Sequence, residues 1–245
     1  MTIIATYNIK GGVGKTSTAV NLAYIAAKNQ YHTLIWDLDP QGASSFYFRI
    51  KPKIKGGGKA LIAGERELDG LIKATDFENL DLLPADFSLR NLDLALDARK
   101  KPTQRLKKLL TPLTKEYDFI FLDCPPSISL LSEAVFVTSD ILLTPIIPTI
   151  LSLRTFEQLK KYLKVNKLKH IQLLPFFSMA DRRKKMHREI METLMAEHSE
   201  ILQTVIPYAS NIERMGWERK PLGAYDEKSR SYAAYKLLWQ EIMEQ

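Results

Sequence analysis

Two lysines five residues apart bracket three glycines in the run Tyr7-Asn8-Ile9-Lys10-Gly11-Gly12-Val13-Gly14-Lys15-Thr16-Ser17. A glycine-rich turn ending in Gly-Lys-Thr can ring phosphate oxygens with backbone N–H groups. In that chemistry Lys15 meets the β- and γ-phosphates of a nucleotide and the Thr16 hydroxyl meets Mg2+. The usual spacing places a further glycine six residues before the lysine. Here that place is Ile9, and an extra cation, Lys10, stands beside it. A helix starting near Lys15 would add the positive end of its dipole. Residues Lys10, Gly11, Gly12, Val13, Gly14, Lys15, Thr16 and Ser17 are therefore the expected nucleotide-binding loop.

Two carboxylate-bearing strand ends should complete such a site. Phe-Ile-Phe-Leu-Asp at 119–123 is an apolar strand closed by Asp123, the expected metal-side carboxylate alongside Thr16. A charge at the end of a buried strand needs a partner, and a metal-bound water is one. The second end is Asp37-Leu38-Asp39-Pro40-Gln41. Strand alternation would point Asp37 and Asp39 the same way, with Asp39 further out to hold an attacking water and Asp37 free to cap the turn.

The elements that must carry these groups alternate along the chain. Apolar runs predict strands at 3–7, 33–37, 80–84, 119–123, 141–147, 172–177 and 203–207. Helical patterns fall near 15–29, 88–97, 103–115, 129–138, 152–165, 184–197 and 229–243. Several strands are apolar on both faces, as strands covered by helices on each side are. The expectation is an α/β fold with a mostly parallel, twisted sheet and helices on both faces, in one domain spanning 1–245. Residues 51–59, basic and glycine-rich, read as the one obvious loop.

Composition narrows the class. A hydrophobic content of 45% and a charged content of 26% suit a globular protein. No basic leader precedes the first strand and no apolar run reaches the length of a membrane helix, so a cytoplasmic protein is expected. A lone cysteine, Cys124, excludes an intrachain disulfide and a cage of several thiolates from one chain. The formal net charge is +7, and residues 154–188 hold 11 Lys/Arg against 2 Asp/Glu. That concentration suits a polyanionic partner.

Lys-Gly-Gly-Val-Gly-Lys-Thr, Asp-Leu-Asp-Pro-Gln-Gly and Phe-Leu-Asp-Cys-Pro-Pro-Ser, in that order, resemble the ParA family of partition ATPases. These belong to the deviant Walker A branch of P-loop proteins, which includes MinD, the nitrogenase iron protein and the arsenical-pump ATPases. Leu-Leu-Pro-Ala-Asp, Met-Ala-Asp-Arg-Arg, Ile206-Pro207 and Lys-Pro-Leu-Gly-Ala-Tyr-Asp extend the likeness over nearly the whole chain. The resemblance implies ATP and Mg2+ as cofactors, weak intrinsic ATP hydrolysis and a homodimer formed with ATP. It matches Lys10 to a lysine that reaches the phosphates bound by the other subunit, Asp39 to the residue needed for hydrolysis and Asp123 to the Walker B carboxylate. Pro125-Pro126 match the loop that senses loss of the γ-phosphate, while Met179 and Pro207 match positions lining the adenine pocket.

The same resemblance implies nonspecific DNA binding in a nucleoid-associated protein and a ParB-like or other cargo adaptor. Arg183 falls on the arginine of the family's Asp-x-Arg motif, surrounded by Arg182, Lys184, Lys185 and Arg188. A further family arginine position is Asn211 here, and Arg214, Arg219 and Lys220 stand nearby to supply charge instead. A MinD-like membrane positioning ATPase is the alternative, but such proteins end in a basic amphipathic helix. This chain ends Leu-Leu-Trp-Gln-Glu-Ile-Met-Glu-Gln, with no lysine after Lys236, which reads as a docked helix without a membrane partner. Iron–sulfur chemistry between two chains would need two cysteines from each. Amide ligases of this fold usually lack a lysine at the position of Lys10, and no terminal tyrosine cluster suggests a bacterial tyrosine kinase. Without an N-terminal helix-turn-helix domain, autorepression at an operator is not expected.

Overall fold

A computed structural model describes residues 1–64, 68 and 70–245. Among them, one sheet contains β1 (Thr2–Thr6), β2 (Thr33–Asp37), β3 (Lys73–Ala74), β4 (Leu80–Leu83), β5 (Phe119–Asp123), β6 (Ile141–Ile146), β7 (Gln172–Ala180) and β8 (Val205–Pro207). Their spatial order is β3-β4-β2-β5-β1-β6-β7-β8. All neighbours are parallel except the edge strand β3, which runs antiparallel to β4. The helices are α1 (Lys15–Lys28), α2 (Ala43–Tyr47), α3 (Gly57–Ala63), α4 (Leu92–Asp97), α5 (Arg105–Leu110), α6 (Leu130–Thr138), α7 (Ile150–Val165), α8 (Lys185–Glu197), α9 (Ser210–Glu213), α10 (Met215–Glu218) and α11 (Arg230–Met243).

The strand pattern explains why both faces are covered. Side chains alternate across a strand. Ile3 and Ala5 of β1, with Trp36 of β2 and Leu122 of β5, join a core that takes in α4, α5 and α6. Ile4, Ile35 and Phe121 turn to the opposite core, built with α1 and α11. In α11, Tyr232, Tyr235, Leu238, Trp239 and Ile242 are buried there. The apolar stripe of this terminal helix is thus taken up by the fold. No described helix is long and apolar enough to cross a membrane.

Several expected elements differ in detail. The single helix read at 103–115 is a 3-10 turn, α5 and a second 3-10 turn over Thr111–Lys115, because Pro112 has no N–H to continue α5. The helix read at 88–97 begins as a 3-10 turn, Phe87–Asn91, capped by the Asp86 carboxylate, and becomes α4 at Leu92. The loop read at 51–59 gives way to α3 at Gly57, whose preceding Gly56 is left-handed at φ 89. β7 runs on to Ala180 through an irregularity, three residues beyond the expected end.

Order in the sheet sets the place of the site. The chain leaves β1 and passes to one side for β2 and β4, then returns through β5 and crosses to β6 on the other side. The winding of the chain across the sheet therefore reverses at β1, while the strands stay parallel, and ligands of open α/β sheets bind beyond the carboxyl ends at such a point. Thr6, Asp37 and Asp123 lie side by side there, since Asp123 is the register partner of both other residues.

Candidate nucleotide site and basic surface

The loop after β1 is shaped by two left-handed glycines and one buried amide. Gly12 has φ 68 and Gly14 φ 93. A Cβ on Gly14 would sit 2.8 Å from Ser178 Oγ of β7, so a side chain is blocked by both conformation and space. A Cβ on Gly12 would meet nothing within 4 Å, so space is open on that side of the loop. Asn8 is buried and donates from Nδ2 to the Pro145 carbonyl at 2.8 Å, while its Oδ1 accepts from the Lys10 N–H at 2.9 Å. That pair ties the start of the loop to β6. At the other end, the Thr18 N–H and hydroxyl both donate to the Gly14 carbonyl, closing the first turn of α1.

Lys15 is buried, and its ammonium donates to the Lys10 carbonyl at 3.0 Å. Burial lowers its pKa and the Asp123 carboxylate opposes that shift. The Thr16 hydroxyl donates to Asp123 Oδ1 at 3.2 Å. On the other oxygen of Asp123, Oδ2 accepts from Ser44 at 2.7 Å. Asp37 accepts from the Ser45 N–H at 2.8 Å and the Ser45 hydroxyl at 2.7 Å. Burial raises the pKa of both Asp37 and Asp123; neighbouring carboxylates add to this, the serine and threonine donors oppose it, and at Asp123 the Lys15 ammonium opposes it as well.

Asp39 is half-buried and takes a different course from Asp37. β2 ends at Asp37, so strand alternation no longer sets the direction of Asp39. Its Oδ1 accepts from the Gln41 N–H at 2.9 Å, holding the turn that leads to α2. Lys10 is half-buried. Pro126 borders the loop as well, with its Cγ 3.9 Å from where a Gly11 Cβ would lie. Val13 is buried, and the Ser17 hydroxyl donates to the Gly14 carbonyl at 3.1 Å. Met179 has a left-handed backbone, φ 53, within the β7 irregularity, and Pro207 follows the register through its partner Ala180. Both are half-buried and lie at the β7 end that touches Gly14 through Ser178.

The seven expected DNA-contacting residues are in different local states. Arg182, Arg183, Lys184, Lys185 and Arg188 are all exposed. Arg183 grips Asp181 with Nε and Nη2 at 2.9 and 3.0 Å, and this pair pulls the Asp181 pKa down to about 2. Lys185 lies 3.4 Å from Glu189, and Arg188 donates to the Arg182 carbonyl. Arg214 is paired with Glu218 at 2.8 Å. Arg219 is half-buried, donates to the Phe46 carbonyl and sets its guanidinium 4.5 Å above the Phe46 ring. Asn211, at the family arginine position, bonds Asp226 and Ser231.

Sequence alone does not single out Ser44, Ser45, Asn8 or Asn21. Two adjacent hydroxyls just past an Asp-x-Asp loop are the available signal for Ser44 and Ser45. Nothing local marks Asn21, whose side chain joins the Ser17 carbonyl to the Leu222 N–H from a residue 201 positions away.

With this geometry in view, comparison with known proteins fixes the class. A family model described as an AAA domain matches residues 1–174. The sporulation initiation inhibitor protein Soj of Bacillus subtilis is 31% identical over 98% of this chain and 97% of its own. The chromosome partitioning protein ParA of Myxococcus xanthus is 30% identical over 98% of this chain and 87% of its own. The chain belongs to the ParA/MinD family of P-loop ATPases. In fold it is also similar to cobyrinic acid a,c-diamide synthase from Mycobacterium smegmatis, solved with an ATP analogue and magnesium. That likeness has TM-score 0.83 and 23% identity, and covers 100% of this chain and 95% of that one.

Proposed function

We propose that this chain is an ATP-switched dimer that binds duplex DNA without sequence preference and positions a cargo through an adaptor protein. The observation that carries the reading is the loop with two lysines in two settings. Lys15 is buried and held at the Lys10 carbonyl, while Lys10 itself is half-exposed. In this reading Lys15 neutralises phosphate charge in its own site, and Lys10 meets phosphates held by a second copy. A nucleotide binding the paired state better than the single chain drives association by mass action.

The residues fit ATP and Mg2+. Open space beside Gly12 suits phosphates, and Thr16 with Asp123 forms a hydroxyl–carboxylate pair of the kind that holds hydrated Mg2+. When bound, the metal offsets charge on the β- and γ-phosphate oxygens. Asp39 orients the attacking water from the turn it holds with Gln41, and Ser44 fixes the second oxygen of Asp123. Similarity to a chromosome partitioning protein favours partition over other tasks.

The DNA surface is the exposed group from Arg182 to Arg188, and within it Arg182 and Lys184 have no carboxylate partner among the described contacts. Two copies joined by ATP present two such surfaces on one particle, so weak contacts gain by avidity. Fluorescence anisotropy with unrelated duplexes, each with ATP and with ADP, tests the reading. Binding of all duplexes with ATP and little with ADP is expected. Equal binding with both nucleotides, or preference for one sequence, would overturn it.

A further inference from the structure

Helix α2 has two working sides. Ser44 and Ser45 turn inward to Asp123 and Asp37. Phe46 and Tyr47 turn to a cavity of about 580 Å3 between α2, the segment that follows it and α10. Tyr47 and Ile50 are half-buried in its wall, and Phe46 keeps 46% of its surface exposed. Arg49, Lys51 and Arg219 also line it, and no carboxylate does among the described residues. Arg49 is paired outward with Asp76, whereas Lys51 has no acidic partner in the described contacts. Trp217, between the lining residues Gly216 and Arg219, is 87% exposed.

We infer that this cavity is the docking site for an acidic peptide segment of a partner protein, carrying an apolar anchor residue, and that its seating acts on the nucleotide site through α2. Charge selects the partner: Lys51 and Arg219 line apolar walls without a carboxylate partner in the described contacts, and Arg49 beside them is shared with Asp76, which suits Asp or Glu flanking a Leu, Ile or Phe. A concave apolar wall favours a side-chain anchor over a nucleic-acid backbone, which needs only a cationic track. Trp and Arg are among the residue types that dominate binding energy at protein interfaces, and Phe is enriched there. Coupling follows from the size of α2, which has five residues and no length to absorb a shift. A ligand that displaces Phe46 or Tyr47 moves the hydroxyls that hold both buried carboxylates. Tyr47 already feels that site, since its pKa is raised by burial and then by the Asp123 charge.

The docking half stands on the cavity alone, and the coupling half rests on the ATPase reading above. The test pans a random linear peptide library against the full chain, then measures selected peptides by anisotropy on the parent, Lys51→Glu and Phe46→Ala. Lys51 is exposed, so its variant keeps the fold if Phe46→Ala does not. The expected result is a selection rich in Asp and Glu around an apolar residue, with binding lost in Lys51→Glu. Peptides that bind the parent and Lys51→Glu equally, or a selection dominated by Lys and Arg, would overturn the docking site. So would a labelled single-stranded oligonucleotide that binds the parent, is lost in Lys51→Glu and competes with every selected peptide. In the second arm, a selected peptide should change ATP turnover of the parent and leave Lys51→Glu at its own basal rate. Bound peptide with unchanged parental turnover removes the coupling. A parent with no ATP turnover at all overturns the ATPase reading and the coupling with it, while the binding arm still decides the docking site.

Discussion

The Lys15 ammonium is bonded to the backbone carbonyl of Lys10 at 3.0 Å, so Lys15 helps hold the turn that presents Lys10. Burial of one and partial exposure of the other separate their tasks. Lys15→Ala removes both a phosphate contact and a bond within the loop. ADP affinity, measured by calorimetry on the single chain, is expected to fall about ten- to a hundredfold, the scale of one charge-assisted contact. An unchanged affinity would remove Lys15 from the phosphate site.

Asp39 accepts from the Gln41 N–H and donates its own N–H to Asp37 Oδ1, while Ser45 occupies the other oxygen of Asp37. Asp39→Ala should leave ATP binding intact and lower hydrolysis by about a hundredfold or more, in the range of a positioned base. Phosphate release under saturating ATP measures it. Turnover at the parental rate would transfer the water-positioning role elsewhere.

Ser44 supplies one of two side-chain donors to the buried Asp123 carboxylate. Removing it in Ser44→Ala leaves Oδ2 without that donor and should destabilise the nucleotide-free protein by about 1–3 kcal/mol. Urea melts give the value. Equal midpoints for parent and variant would mean that the hydroxyl adds nothing in the folded state.

Asp37 carries a pH signature. Burial, then the Asp123 charge, raises its folded pKa above the ordinary 3.8. The folded state then holds its proton to higher pH than the unfolded chain, so this group costs stability progressively as pH rises above that ordinary value. Asp37→Asn removes the titration. Its melting temperature relative to the parent should climb between about pH 5 and about pH 8 without nucleotide or metal. A difference that is flat with pH, or that falls, would contradict the shift.

Much of this site could be read in the chain because its parts are local. Glycines at 12 and 14 are required by left-handed backbone within seven residues, and Asp123 closes an apolar strand. The parallel sheet followed from strands apolar on both faces. What escaped was set at long range or by short elements. Ser44 reaches a carboxylate 79 residues on, and Asn21 meets Leu222 across the fold. Two-residue β3 and four-residue α9 and α10 are too brief to show a period. Met179 sits left-handed only because β7 is irregular there, and its own residue type gives no sign of it.

If the chain binds DNA as proposed, the ion pairs rank its basic residues. Arg182 and Lys184 are exposed without carboxylate partners among the described contacts, whereas Arg214 is engaged by Glu218 and Arg219 by Phe46. Arg182→Ala and Lys184→Ala should each flatten the slope of log affinity against log salt by about 0.9 on duplex DNA, alike for every sequence. Arg214→Ala should change it far less. A reversed ranking in an anisotropy salt series would move the DNA surface to α10.

If ATP joins two chains through Lys10, the molar mass read by light scattering must follow the nucleotide and the Lys10 side chain together. The parent should be monomeric with ADP and dimeric with ATP and Mg2+. Asp39→Ala should accumulate as the dimer, and Lys10→Ala should stay monomeric with ATP while still binding nucleotide. A Lys10→Ala dimer formed with ATP as readily as the parent's would contradict the role of Lys10 between the two chains.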